Sequence, residues 1–99
     1  MRIDEIISLS SKAEKALSER IHNNVVERGV HITEIVPRSH YVEWHFTDKS
    51  FIDMSVVRDF NDDMNPTHIV LSEYAVQFQD GVKRYNRQYV ETFKVSQKK

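Results

Sequence analysis

Two histidines and two carboxylates in the middle of the chain have side chains suited to catalysis or metal binding. An imidazole beside carboxylates can hold a divalent cation or transfer protons. Glu43 and His45 are two residues apart in a predicted strand and so share a face, and Asp53 belongs to the predicted neighbouring strand. Asp53 joins that face only if the register of the two strands allows it. The cluster comprises His40, Glu43, His45 and Asp53.

The spacing of this cluster matches no established metal or catalytic signature. His40 and His45 are five residues apart, and strand geometry turns side chains at that spacing to opposite faces. We therefore favour polar residues on a solvated strand face over an active site. A small metal- or His-dependent enzyme using Glu43, His45 and Asp53 is kept as an alternative.

Cations and aromatic rings alternate near the C-terminal end and form the second candidate site. Residues 83–99 have six Lys or Arg against one Glu, a net charge of +5, whereas residues 1–82 have a net charge of −6. Cations that contact phosphates and rings that stack on bases are typical of proteins that bind single-stranded nucleic acid. The candidate binding residues here are Lys83, Arg84, Tyr85, Arg87, Tyr89 and Lys94.

Three interpretations of this basic segment are open. Strand alternation places Arg84 and Tyr85 on opposite faces, and the pI of about 6.5 is low for a nucleic-acid binder. We favour a solvated edge strand whose cations block pairing, then a surface for an acidic protein or the acidic half of a second copy, and nucleic acid last. Trp44 is first interpreted as a core residue and alternatively as an interface residue.

Several kinds of chemistry are excluded by composition. Without cysteine there is no disulfide, thiolate nucleophile or Cys-ligated zinc, and two glycines cannot form phosphate-binding glycine loops. The acidic run from Asp59 to Asn65 lacks the Gly and Glu that an EF-hand needs, since Met64 and Val70 stand there. We predict an acidic turn at that run, and for the chain no catalytic residue, no metal and no cofactor.

The chain has no apolar run long enough to span a membrane. Acidic residues follow Met1 closely, where a signal peptide would have apolar ones. We therefore expect a cytoplasmic protein without a membrane partner.

The first 28 residues are predicted to be helical, because apolar residues recur at steps of three and four. Gly29 is suited to end the helix. We favour one long helix that allows a break at residues 8–11. Ser11 and Glu14 match a capping box, so the alternative is a helix that starts at Ser11, with residues 3–9 forming a separate turn.

After Gly29 the apolar period changes to two, which is typical of strands. Asp80 and Gly81 predict a type I′ hairpin turn. We predict strands at 30–36, 40–47, 51–57, 67–79 and 82–95, a loop at 58–66 and a frayed tail at 96–99. The last strand has a helix as its alternative. Across the hairpin, the expected pairs are Val76 with Tyr85, Tyr74 with Arg87, and Phe78 with Lys83.

The predicted fold class is α+β, a single domain over residues 1–99 with an N-terminal amphipathic helix on a mostly antiparallel meander of four or five strands. Five strands are roughly 20–24 Å wide, and a helix about 10 Å across covers half of one face. Apolar residues expected on the uncovered face are Ile35, Tyr41, Phe51, Val57, Ile69 and Leu71.

Uncovered apolar surface predicts association with another protein or with a second copy. We expect a small non-catalytic binding or regulatory protein of the accessory or inhibitor type, a type common among bacteria and their phages. The partner is another protein, with a homodimer included. The alternatives are a protein that binds single-stranded nucleic acid through the basic segment, and the small enzyme above.

Overall fold

The computed structural model describes residues 2–59 and 62–95. These residues form an α+β fold, in which two N-terminal helices lie on one face of an antiparallel five-stranded meander with strand order β1-β2-β3-β4-β5. The predicted fold class is thus confirmed. The elements are α1 (Ile3–Ser8), α2 (Ser11–Arg28), β1 (Ile32–Pro37), β2 (Tyr41–Phe46), β3 (Phe51–Asp59), β4 (Asp62–Gln79) and β5 (Val82–Lys94).

The helical region is broken between residues 8 and 11, where the favoured prediction placed a break, and residues 3–8 form a short helix instead of the separate turn of the alternative. Ser10 is extended, and its Oγ accepts a hydrogen bond of 3.2 Å from the backbone N–H of Ala13. That bond satisfies a free donor in the first turn of α2. The cap is therefore Ser10, one residue before the Ser11 of the predicted capping box. Gly29 ends α2 with φ 66°, as predicted.

The core lies between the helices and one face of the sheet. Residues from both helices pack on alternate residues of β2, β3 and β4. Trp44 is only 4% exposed, which agrees with the first interpretation of this residue. The fully assembled core comprises Ile6, Ala13, Leu17, Val30, Val42, Trp44, Phe46, Ile52, Met54, Ile69 and Leu71.

Three residues expected on the uncovered face lie on the helix side instead. Ile69 and Leu71 are 0% exposed in the core. Ile35 pairs with Trp44 and so shares its face, although it lies at the sheet edge and is 40% exposed. The expectation was wrong for β4 because that strand carries apolar residues on both faces. The alternation of apolar and polar residues therefore does not show which set of its side chains faces the core. Tyr41, Phe51 and Val57 do lie on the uncovered face.

The loop predicted at 58–66 is replaced by a continuation of the β3–β4 hairpin. β3 runs to Asp59 and β4 begins at Asp62, with irregular register on both sides of Arg58. Pro66 is tolerated because it sits at this irregularity. The side chains of the predicted acidic turn at 59 and 62–64, residues 60–61 as a whole and the predicted tail at 96–99 lie outside what the structure describes.

The β4–β5 hairpin agrees with the prediction in turn type and pairing. Asp80 and Gly81 have φ of 53° and 78°, the positive values that a type I′ turn requires. All three predicted cross-strand pairs are present, so the helix alternative for the last segment is wrong. β3 begins at Phe51, which pairs with Tyr74. Residues 75–86 therefore pair only with each other, and we call this two-stranded extension the arm.

A polar network ties the C-terminal half of α2 to the sheet. The buried carboxylate of Glu73 accepts hydrogen bonds from Arg20 and Asn24. Asn24 also accepts a 2.7 Å bond from Arg28, which pairs with Asp48 in the β2–β3 turn. Because a buried charge is costly without partners, this network fixes where α2 lies on the sheet. Neither described helix is long and apolar enough to cross a membrane.

Candidate binding face of the sheet

The face of the sheet turned away from the helices, which we call the open face, is the candidate site. Both helices contribute to the core on the opposite side. Within residues 2–59 and 62–95, no helix or strand packs over the open face. It presents many apolar side chains, namely Val36, Tyr41, Phe51, Val57, Val70, Tyr74, Val76, Phe78, Tyr85 and Val90.

A row of five residues crosses the open face, one from each strand. The rings of His45 and Phe51 stack with centroids 5.2 Å apart, and those of Phe51 and Tyr74 with centroids 4.8 Å apart. Arg87 Nη2 donates a 3.0 Å hydrogen bond to Tyr74 Oη. Glu34 lies at the other end, opposite His45. The row thus runs from a carboxylate, through three stacked rings, to a guanidinium.

The neighbouring row brings two carboxylates together. Glu43 pairs directly with Asp53 across β2 and β3. Burial and, to a smaller extent, the charge of Glu43 together raise the pKa of Asp53 to about 6, against the opposing charge of Arg87. Glu43 accepts a 3.3 Å bond from Arg38, and its Oε1 is 3.4 Å from His45 Nε2. Asp53 is therefore able to take up a proton under mildly acidic conditions.

The cluster of His40, Glu43, His45 and Asp53 is assembled only in part. Glu43, His45 and Asp53 share the open face, and the register leaves Asp53 on it. His40 precedes β2, is exposed, and contributes only its carbonyl oxygen, which accepts from Val56 N–H at 3.1 Å. In the part of the chain that the structure describes, no group of three His, Cys, Asp or Glu residues is arranged to hold a metal ion.

The predicted basic segment is divided between the two faces. Lys83, Tyr85 and Arg87 lie together on the open face, and Lys83 Nζ is 5.1 Å from the centroid of the Tyr85 ring. Lys94 also lies on this face, opposite His68. The sequence predicted that the cations and the aromatic rings would lie on opposite faces. This holds for Arg84, which points away from Tyr85, but not for the cations on the open face.

Tyr89 lies on the helix side because β5 contains one extra residue. Glu73 pairs with Tyr89 while the adjacent Tyr74 pairs with Arg87, so Gln88 has no partner in β4. Such a bulge reverses the alternation of the strand. The Tyr89 ring consequently contacts Arg20, whose Cζ is 4.1 Å from its centroid, in a groove between α2 and β5.

Sequence reasoning missed the row of rings and the exposure of the arm. Tyr85 packs edge-on against Phe51, with centroids 5.3 Å apart. Phe78 is 71% exposed and Val82 is 54% exposed near the tip of the arm. The alternation of Tyr74, Val76 and Phe78 was a visible signal for one apolar face, but only the strand order shows that no helix or strand among the described residues covers it.

The charge asymmetry of the chain reappears across the open face. The half formed by β1, β2 and β3 carries Glu34, Glu43 and Asp53, with Arg38 beside Glu43. The half formed by β4 and β5 carries Lys83, Arg87 and Lys94. We refer to these as the acidic half and the cationic half.

Comparison of this chain with protein-family models, with curated proteins and with solved structures finds no match. The case for the open face comes from its own residues: an uncovered aromatic row, two facing carboxylates and a cationic arm.

Proposed function

We propose that this protein is a non-catalytic binding protein that engages another protein through its open face. The observation that carries the proposal is the row of stacked rings, over which no helix or strand of the described part of the chain packs. Large apolar side chains that stay in water are typical of surfaces that bind other proteins. Aromatic and arginine side chains such as Phe51, Tyr74, Tyr85 and Arg87 are enriched in such interfaces.

The signs of the charges favour a protein partner over nucleic acid. Lys83, Tyr85 and Arg87 share one face, an arrangement able to stack a base and contact phosphates. On the same face, Glu43 and Asp53 repel a phosphate backbone. A partner with charges of both signs fits the whole face, whereas nucleic acid fits only the arm.

The proposal is tested by affinity capture with three baits: the unchanged protein, Lys83→Glu/Arg87→Glu, and Arg84→Glu/Lys15→Glu. The second and third change the net charge equally, but the third does so away from the open face. We expect proteins that bind the unchanged bait and the Arg84→Glu/Lys15→Glu control to be lost from the Lys83→Glu/Arg87→Glu bait. Capture of the same proteins by all three baits would contradict the proposal.

The nucleic-acid alternative makes a different prediction for the same variants. Binding of a fluorescent oligothymidine would fall steeply with salt, since phosphate contacts release counterions. It would also be lost in Lys83→Glu/Arg87→Glu. Recovery of nucleic acid alone in the capture experiment, together with that salt dependence, would replace the proposed function.

A further inference from the structure

We infer that the open face binds a second copy of this chain in a face-to-face, two-fold dimer that sets the acidic half of each face on the cationic half of the other. This inference rests on the proposed function, because it names the partner of the same face.

The central row of the open face is complementary to itself. In order across the sheet, it reads Glu34, His45, Phe51, Tyr74 and Arg87. A two-fold axis parallel to the strands and passing over β3 reverses this order in the second copy. Each Glu34 then faces Arg87 of the second copy, and the rings between them face rings. A two-fold interface needs such self-complementarity, in which the same patch serves both subunits.

The neighbouring row is compatible with the same axis. It reads Val36, Glu43, Asp53, Ser72 and Val90, so its apolar ends face each other and Glu43 faces the hydroxyl of Ser72. The two copies of Asp53 meet near the axis. A carboxyl whose pKa lies near 6 is suited to this position, because a facing pair can share one proton.

The edges of the sheet are poorly suited to self-pairing. An antiparallel pairing of β5 with its own copy brings together cations of one long strand, including Arg84, Arg87 and Lys94. Natural sheets use such charges to block edge pairing. β1 at the other edge is six residues long and ends at Pro37, which lacks a ladder donor. Association through the face avoids both obstacles.

The contact area in this dimer is set by the short strands β1 and β2, because β4 and β5 extend beyond them. Five strands over about six residues, at a spacing of about 4.8 Å, give on the order of 500 Å² of sheet from each copy, which is suited to a weak dimer. The arm extends past β1 and β2 of the second copy, so Phe78 near its tip lies outside this contact area.

The decisive experiment is a charge swap monitored by sedimentation velocity. The unchanged protein is expected to dimerise between about 1 and 100 μM. Arg87→Glu and Glu34→Arg should each weaken the dimer at least about tenfold, because each places like charges opposite one another twice. A 1:1 mixture of these two variants should recover the dimer, and so should Glu34→Arg/Arg87→Glu in one chain.

Arg84→Glu is the matched control, since it reverses a charge on the same strand but on the other face, and its dimer should be unchanged. A monomeric unchanged protein at about 100 μM, or a dimer indifferent to Arg87→Glu, would overturn the inference. Failure of the mixture to recover would overturn it as well. A monomer whose Lys83→Glu/Arg87→Glu variant loses a captured protein would refute the dimer and leave the proposed function standing.

Discussion

At the scale of single residues, the most consequential side chains are two carboxylates on opposite faces of the sheet. Glu73 is buried beneath α2, where Arg20 and Asn24 satisfy it. Asp53 lies on the open face, where partial burial and Glu43 disfavour its charge. The first carboxylate accepts the hydrogen bonds that hold α2 on the sheet, whereas the second costs stability as an anion.

Asp53→Asn should remove a pH dependence of folding. A carboxyl whose pKa is raised from 3.8 to about 6 stabilises the fold below pH 3.8, and this stabilisation is lost as the pH rises through about 6. Because Asp53 is partly exposed, we discount the shift and expect Asn to stabilise by about 1 kcal/mol at neutral pH, with no difference near pH 4. Urea denaturation across this range measures it.

Asp80→Asn is the control for this experiment, because it removes the same charge at an exposed turn position whose positive φ suits Asn. A gain in stability at neutral pH for both variants would point to net charge instead of the Glu43–Asp53 pair.

Glu73→Ala should destabilise the protein by about 2–3 kcal/mol, since it leaves Arg20 and Asn24 without their acceptor. The free energy of unfolding from urea titration is the measurement. Glu27→Ala, at an exposed position of the same helix, should change it by less than about 0.5 kcal/mol. Equal effects of the two substitutions would show that the network does not hold α2.

At the scale of elements, the arm depends on its turn. Gly81 has φ 78°, and no atom lies within 4 Å of where a Cβ would stand. The cost of Gly81→Ala is therefore backbone strain without a clash, about 1–2 kcal/mol. We expect faster hydrogen exchange at residues 75–86 and unchanged exchange in β2. Gln79→Ala is the control, because Gln79 does not have a positive φ and its substitution adds no backbone strain. Unchanged hydrogen exchange in Gly81→Ala would contradict the prediction.

Elements defined by nearby residues could be predicted from the sequence, and those defined by distant pairing could not. Asp80 and Gly81 specify their turn and thereby the pairs across it, and the alternation of Val42, Trp44 and Phe46 identifies the core side of β2. The loop composition at 58–66 was misleading because β3 and β4 continue to pair there. Strand pairing outweighs the turn preference of single residues.

The candidate site was predictable only in its components. Glu43 and His45 were placed on one face by their spacing, and Asp53 required the β2–β3 register. To predict the stacked row, the registers of all four strand pairs must be known together. To predict how the basic segment divides between the two faces, one must know that Gln88 is unpaired. None of these follows from residue types along the chain.

At the scale of the whole molecule, the proposed dimer should be sensitive to salt. Ion pairs between Glu34 and Arg87 at its rim are screened as ionic strength rises. The dissociation constant measured by sedimentation should therefore increase by several-fold between low and high salt. Glu34→Arg/Arg87→Glu should keep this dependence, because it exchanges the charges without removing the pairs. A dimer that tightens with salt would indicate apolar contacts alone.

The unpaired Gln88 determines which face of the sheet each side chain of the arm occupies. If Gln88 paired with Tyr74 in simple alternation, Lys83, Tyr85 and Arg87 would lie on the helix side of the sheet and Arg84 and Asn86 on the open face, whereas deleting Gln88 would leave Arg87 opposite Tyr74. Which face of the arm carries Lys83 and Arg87 is thus determined by the bulge at Gln88, and not by the residue types of the arm.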